Sequence, residues 1–140
     1  MKKILSILLF SLLLLSIACT ETVSDAKQEN VQPQIYPDYI GVTIPVNIAP
    51  LNFNMNDEAA GRIDAVITDS HGRTLHSQGE ESVDFDIDDW HTLLAQNAGD
   101  SLSVTVSAKY EDGWHTYRPF SIYVSPDSID YGILSALQTV

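Results

Sequence analysis

With 140 residues, the chain is long enough for one domain and too short for two. It carries 19 Asp and Glu against 7 Lys and Arg, a formal net charge of −12 at pH 7. Because nucleic acids and anionic lipid headgroups bind through basic patches, this charge argues against both, and we expect no nucleic-acid partner.

The first 18 residues have the pattern of a bacterial export signal. Lys2 and Lys3 form a short basic region, and residues 4–17 form an apolar run interrupted only by serines. That run has the length of a signal-peptide core and is short for a membrane span. We therefore predict residues 1–18 to be a signal peptide. Its removal takes two of the 7 basic residues and leaves a formal charge of −14.

Cys19 follows the predicted cleavage site and is the only cysteine in the chain. The preceding Ser-Ile-Ala triplet suits ordinary signal peptidase, and the cysteine after it suits lipoprotein signal peptidase; Ser16 stands where the usual lipobox has Leu. A lone thiol in an oxidising compartment is a liability that a thioether to lipid removes. We predict lipidation of Cys19 over simple secretion. The protein is then attached to a membrane of the bacterial envelope as an outer-membrane lipoprotein, on a face that the sequence leaves open.

The remaining chain divides into a polar stretch, a domain and a tail. Residues 20–34 are polar and follow no strand or helix pattern. We therefore predict that residues 19–34 are the lipidated cysteine and a flexible tether. Short β-segments separated by turn signals follow, so we assign residues 35–132 to one β-domain and residues 133–140 to a short tail.

One proline and one loop define the first strands of the domain. Pro45 lies within the β-branched segment 40–48, and a proline cannot donate to a ladder, so we predict an edge strand or a bulge there. A three-residue loop at 70–72, ending in glycine, places Ile67 opposite Leu75 and keeps both on one face.

A short helix is predicted after the next strand. Val83, Phe85 and Ile87 alternate with aspartates and are expected to point inward. Asp88 is a good N-cap, which predicts a helix from residue 89 to about residue 97. Its apolar positions, at helical spacing, are Trp90, Leu93 and Leu94.

The last hairpin can be predicted in register. A two-residue turn at 112–113 would place Phe120 opposite Thr105 and spoil the inner face, so we predict a three-residue loop at 111–113. The pairs expected from that loop are Tyr110 with Trp114, Val104 with Phe120 and Leu102 with Ile122. The strands and the helix together predict a mainly β fold, an immunoglobulin-like β-sandwich with one short helix.

The chain contains no recognisable catalytic or metal-binding motif. Residues 84–89 have the D-x-D-x-D spacing of Ca²⁺ loops, but an EF-hand counted from Asp84 needs Gly and Glu where Asp89 and Ala95 stand. The four histidines are scattered, and neither a C-x-x-C-H haem motif nor a G-x-S-x-G elbow occurs. We therefore predict a protein that is not an enzyme, with no metal site and no cofactor.

Aromatic residues of the last hairpin are the candidate binding surface. They are grouped with one histidine and one arginine, as Trp114, His115, Tyr117 and Arg118. On an outward face such side chains can stack on sugars or peptides. The alternative is that they fill space against a neighbouring segment or protein.

Two runs of the sequence resemble a known family. Residues 35–53 are IYPDYIGVTIPVNIAPLNF and residues 125–132 are SPDSIDYG. Both are similar to the N-terminal β-domain of bacterial envelope lipoproteins that continue into a TolB-like β-propeller, some of which also carry c-type haem motifs. This chain has neither propeller blades nor a haem motif, so the resemblance implies only a β-domain that packs on a propeller.

Two functions remain as hypotheses. The first is a non-enzymatic envelope lipoprotein module that docks a protein partner, either as a truncated N-terminal domain or as a free module beside a separate propeller. The apolar tail residues Ile133, Leu134 and Leu137 would contribute to docking. The second is a surface lipoprotein that binds a glycan or protein ligand through the aromatic hairpin.

Overall fold

In the computed structural model, residues 2–4 and 20–130 are described. The elements in chain order are β1 (Lys27–Gln28), β2 (Ile35–Tyr36), β3 (Thr43–Pro45), β4 (Asn52–Met55), β5 (Arg62–Thr68), β6 (Thr74–Gly79), β7 (Val83–Asp84), α1 (Ile87–Gln96), β8 (Ser101–Tyr110), β9 (Gly113–Thr116) and β10 (Phe120–Ser125). Residues 1, 5–19 and 131–140, which include most of the predicted signal peptide, the predicted anchor Cys19 and the whole predicted tail, lie outside the described residues.

The strands form two sheets. The larger has seven strands, with β8 at its centre, β5 and then β6 on one side, and β9 and β10 sharing the other side. Two edge strands run parallel to their neighbours, β1 beside β9 and β3 beside β10. The smaller sheet has three strands in the order β2-β4-β7. The edge position predicted for the strand with Pro45 is confirmed.

A single core joins both sheets and the helix. It includes Phe53 from the small sheet, Ile67 from the large sheet and Trp90 from α1. The indole N–H of Trp90 donates to the Ile48 carbonyl at 3.0 Å, so this large buried side chain leaves no polar atom unsatisfied.

The predicted mainly β fold with one short helix is confirmed, and its two sheets are consistent with a β-sandwich. The immunoglobulin-like arrangement stays a prediction.

The first hairpin has the predicted register. Ile67 lies opposite Leu75. The Asp69 N–H donates to the Arg73 carbonyl at 3.0 Å, closing the three-residue loop. Gly72 ends that loop with φ +83°, a conformation that costs glycine little.

The last hairpin differs from its prediction at the loop. Val104 lies opposite Phe120 as predicted, but Tyr110 pairs with Gly113, so the predicted pairing of Tyr110 with Trp114 is wrong. The loop has two residues, and the segment around Pro119, which cannot donate to the ladder, supplies the extra residue that restores register in β10. Trp114 is therefore opposite Lys109, on the sheet face away from the main core.

The helix starts earlier than predicted. Its N-cap is Asp86, not Asp88, and the Asp86 carboxylate accepts the N–H groups of Asp88 and Asp89 at 3.0 and 2.9 Å. Ile87 thus becomes the first helical residue and is 54% exposed instead of pointing inward. The predicted apolar stripe is confirmed, since Trp90, Leu93 and Leu94 are buried.

Candidate functional site: an N-terminal strap and a tyrosine cleft

Residues 20–31, which we call the strap, cross one face of the large sheet, from Gln78 in β6 at one side to β9 at the other. Within them β1 pairs in parallel with β9, with Lys27 opposite His115. The Glu29 N–H donates to the Thr116 carbonyl and the Arg118 N–H donates to the Val31 carbonyl, each at 2.9 Å. The structure thus places part of the predicted tether against the sheet, where its backbone forms hydrogen bonds. Pairing with an edge strand needs free backbone groups and no alternating side-chain pattern, so this polar segment gave no strand signal.

Glu21 holds the beginning of the strap. Its N–H donates to the Gln78 side-chain oxygen at 2.8 Å, and its carbonyl accepts from the Gln78 amide at 2.7 Å. Its carboxylate forms ion pairs with Lys109 and, at 3.9 Å, with Arg62. The hydrogen bond from Lys109 lowers the pKa of Glu21, against a smaller opposing effect of burial. Two cations and one amide thus fix the residue two positions after Cys19.

His115 connects the other end of the strap to the hairpin loop. Its Nδ1 lies 2.7 Å from a Glu29 carboxylate oxygen, and its Nε2 lies 2.7 Å from an Asp112 oxygen. Only the imidazolium can donate from both nitrogens at once. The hydrogen bonds to Asp112 and Glu29 raise the pKa of His115, and those from His115 lower the pKa of both carboxyls.

The strap side of the sheet also contains Trp114. This side chain is 5% exposed, and the Lys109 ammonium lies 6.0 Å from its ring centroid. Trp114 also contributes to lowering the pKa of Glu21. Of the four predicted surface residues, Trp114 and His115 are thus engaged by the strap. Tyr117 is half-buried, and Arg118 is exposed.

Tyr117 lines a small cleft beside Val31, the last residue of the strap. This tyrosine cleft has a volume of about 240 Å³ and is lined by Val31, Gln32, Gln34, Met55, Asp57, Tyr110 and Tyr117. The Tyr110 hydroxyl donates to Asp57 at 3.0 Å and lies 2.7 Å from the Tyr117 hydroxyl. Burial, followed by the hydrogen bonds with Tyr117 and Asp57, raises the pKa of Tyr110, so this phenol stays neutral.

A second groove adjoins the tyrosine cleft. It measures about 330 Å³ and shares Gln32 and Gln34 with the cleft. Asp38 and Asn56 also line it. The cleft and the groove thus lie along the same short segment, between the strap and β2. The sequence predicted Tyr117 as a binding residue but gave no signal for Asp57 or Tyr110, because only the fold brings residues 57 and 110 together.

Asp69 is a buried charge that sequence analysis missed. Its carboxylate accepts the N–H groups of His71 and Arg73, each at 2.9 Å. It also accepts the Arg73 guanidinium at 2.6 Å and the Asn97 amide at 3.2 Å. Burial alone would raise the pKa of this carboxyl, but the bonds from Arg73, Asn97 and His71 outweigh burial and lower it to about 2. Asp69 therefore links the first hairpin loop to the end of α1.

Within residues 2–4 and 20–130, no group of three or more His, Cys, Asp or Glu side chains is placed to hold a metal ion. The described helices include none with the length and apolar character needed to cross a membrane. Comparison with protein-family models gives no match, and no curated protein matches the chain.

Proposed function

We propose that the protein is a lipid-anchored module of the bacterial envelope, held through Cys19, which docks a protein partner and catalyses no reaction. The observation that supports this most directly is the strap. The chain after the proposed anchor residue packs on the domain from Glu21 onward. Two residues span at most about 7 Å, so the lipid would lie close to this part of the sheet.

The strap and the segment after β10 are held at opposite ends of β8. Glu21 is bound at the Lys109 end, which we call the proximal pole. Beyond β10, Ile129 and Asn47 exchange two hydrogen bonds of 2.9 Å near the Ser101 end, which we call the distal pole. Ser101 and Lys109 are eight residue steps apart in β8, so the poles are about 27 Å apart. An anchored domain would therefore direct its distal pole away from the bilayer.

Docking is proposed for the segment that follows the distal pole. The residues after Asp130 include Ile133, Leu134 and Leu137 and no charged residue. Burying apolar area of this kind against a partner gains about 25 cal/mol per Å². The resemblance to TolB-like lipoproteins suggests that the partner surface is a β-propeller.

Deletion of residues 133–140 tests this proposal. We expect the shortened chain to keep its fold and membrane attachment but to lose most of the protein recovered by pull-down from solubilised envelopes. A second variant replaces Ile133, Leu134 and Leu137 with serine in a chain of full length, and we expect it to lose the same protein. If both variants recover the same proteins as the natural chain, docking through this segment is wrong.

A further inference from the structure

The geometry points to the tyrosine cleft and its adjoining groove as a binding site for an uncharged glycan, with one sugar ring in the cleft. The cleft lies at the proximal pole, because Tyr110 is the last residue of β8, but its lining includes neither Cys19 nor any residue of the proposed docking segment. It depends neither on the lipid anchor nor on the partner proposed above, and residues from the strap, β4 and the last hairpin build it. Failure of the anchor would therefore leave it untouched.

The hydrogen bonds among the polar groups of the cleft all run in one direction, from Tyr117 to Tyr110 to Asp57. Tyr110 donates its only phenolic proton to Asp57, so its oxygen accepts the proton of Tyr117. Asp57 is itself fixed, because its other oxygen accepts the Ala59 N–H at 3.0 Å. The Tyr117 oxygen and the Asp57 carboxylate consequently offer lone pairs to a ligand. A ligand rich in hydroxyl donors complements such a set.

Two amides complete the polar lining. The side chains of Gln32 and Gln34 are exposed and form no hydrogen bond with residues 20–130. Each amide can both donate and accept, as a sugar hydroxyl also can. Because both residues line the cleft and the groove, their amides can contact two successive rings of one glycan.

The volume of the cleft and the charges beside it restrict the class of ligand further. A cavity of about 240 Å³ is small for a drug-sized molecule, which suits a single ring. Val31, Met55 and the half-buried tyrosines give the apolar contact that one face of a sugar ring needs. Asp57 and Asp38 disfavour anionic sugars. Strand addition by a peptide is disfavoured as well, since β2 has two residues and is followed by Pro37.

Titration of the full chain in detergent with neutral monosaccharides tests this site. We would record amide NMR spectra with glucose, galactose, mannose and N-acetylglucosamine, each up to about 50 mM, a range that reaches weak affinities. At least one sugar should shift the amides of Gln34, Tyr110 and Tyr117 in a saturable way, and glucuronate should bind less well than glucose. If none of these neutral monosaccharides shifts these amides, the inference is wrong.

Two variants assign the effect to the cleft. Tyr117→Phe and Gln34→Ala each remove one polar partner, and each should weaken binding by about two- to tenfold. Tyr123→Phe is the matched control, since the Tyr123 hydroxyl donates to the Gly99 carbonyl near the distal pole. Unchanged affinity in both cleft variants, or equal loss in the control, would overturn the assignment.

Discussion

The contacts of His115 show that a side chain can have partners that its position in the sequence does not reveal. His115 was predicted as part of an open aromatic surface, yet it binds Glu29 and Asp112 and lies 4.7 Å from the Tyr110 ring, centroid to centroid. Glu29 is 86 residues away in the chain, so no local pattern could reveal the contact. Tyr117 was predictable as a site residue because aromatic hairpin residues are common binding groups.

The His115 contacts predict a pH dependence of strap docking. The raised pKa means that His115 stabilises the docked strap below its ordinary pKa near 6.5, and this contribution is lost as pH rises through the raised value. Glu29 and Asp112 have lowered pKa values, so their contributions are present above their ordinary values and are lost on acidification. Lys27 also pairs with Glu29, at 3.3 Å.

Hydrogen exchange of the Glu29 amide measures this effect. His115→Gln keeps at most one of the two hydrogen bonds to Glu29 and Asp112. Protection of the Glu29 amide should therefore fall by about two- to tenfold at neutral pH. In this variant, protection should also no longer change over the pH range in which His115 titrates in the natural chain. The Tyr123 amide, bonded to the Val42 carbonyl at the opposite edge, is the internal control. Equal Glu29 protection in both proteins across this pH range would show that the imidazole does not hold the strap.

At the scale of elements, prediction succeeded where the pattern is local. The Ile67–Leu75 register follows from loop length and one glycine, and Trp90 reports the buried face of α1. Prediction failed where residues that are distant in the chain determine the local structure. Asp86 and Asp88 are both good N-caps by type, and the extra residue near Pro119 is invisible until β10 is paired. The strap was missed because its partner is the backbone of β9.

The link between the first hairpin and α1 should be sensitive to acid. Asp69 has a pKa lowered to about 2, so its stabilising effect is complete above its ordinary value of 3.8 and is lost as pH falls through about 2. Asp69→Asn should lower the melting temperature by about 5 °C or more at pH 7. The difference from the natural chain should shrink toward pH 2. Asp127→Asn, at an exposed site, makes the same charge change as a control, and a difference for Asp69→Asn that does not vary with pH would contradict this role.

For the whole molecule, the strap distinguishes one end of the domain from the other. Glu21 is fixed at the proximal pole, and Ile129 is fixed near the distal pole. The strongly acidic surface opposes adsorption of the domain to anionic headgroups, so the proposed lipid and the strap, not surface charge, would set its orientation. The sequence predicted export and the anchor from the first 19 residues. It did not predict the two poles, because they depend on how the strap pairs with the sheet.

Incorporation of labelled fatty acid in cells, compared between the natural chain and Cys19→Ser, tests this orientation at its origin. We predict that the natural chain carries the label and sediments with membranes, whereas Cys19→Ser carries none and is recovered in the soluble periplasm. Two or more acyl chains hold a protein firmly, so the separation between the fractions should be nearly complete. Absence of label from the natural chain, or equal labelling of both, would contradict the anchor and with it the proximal and distal assignment of the poles.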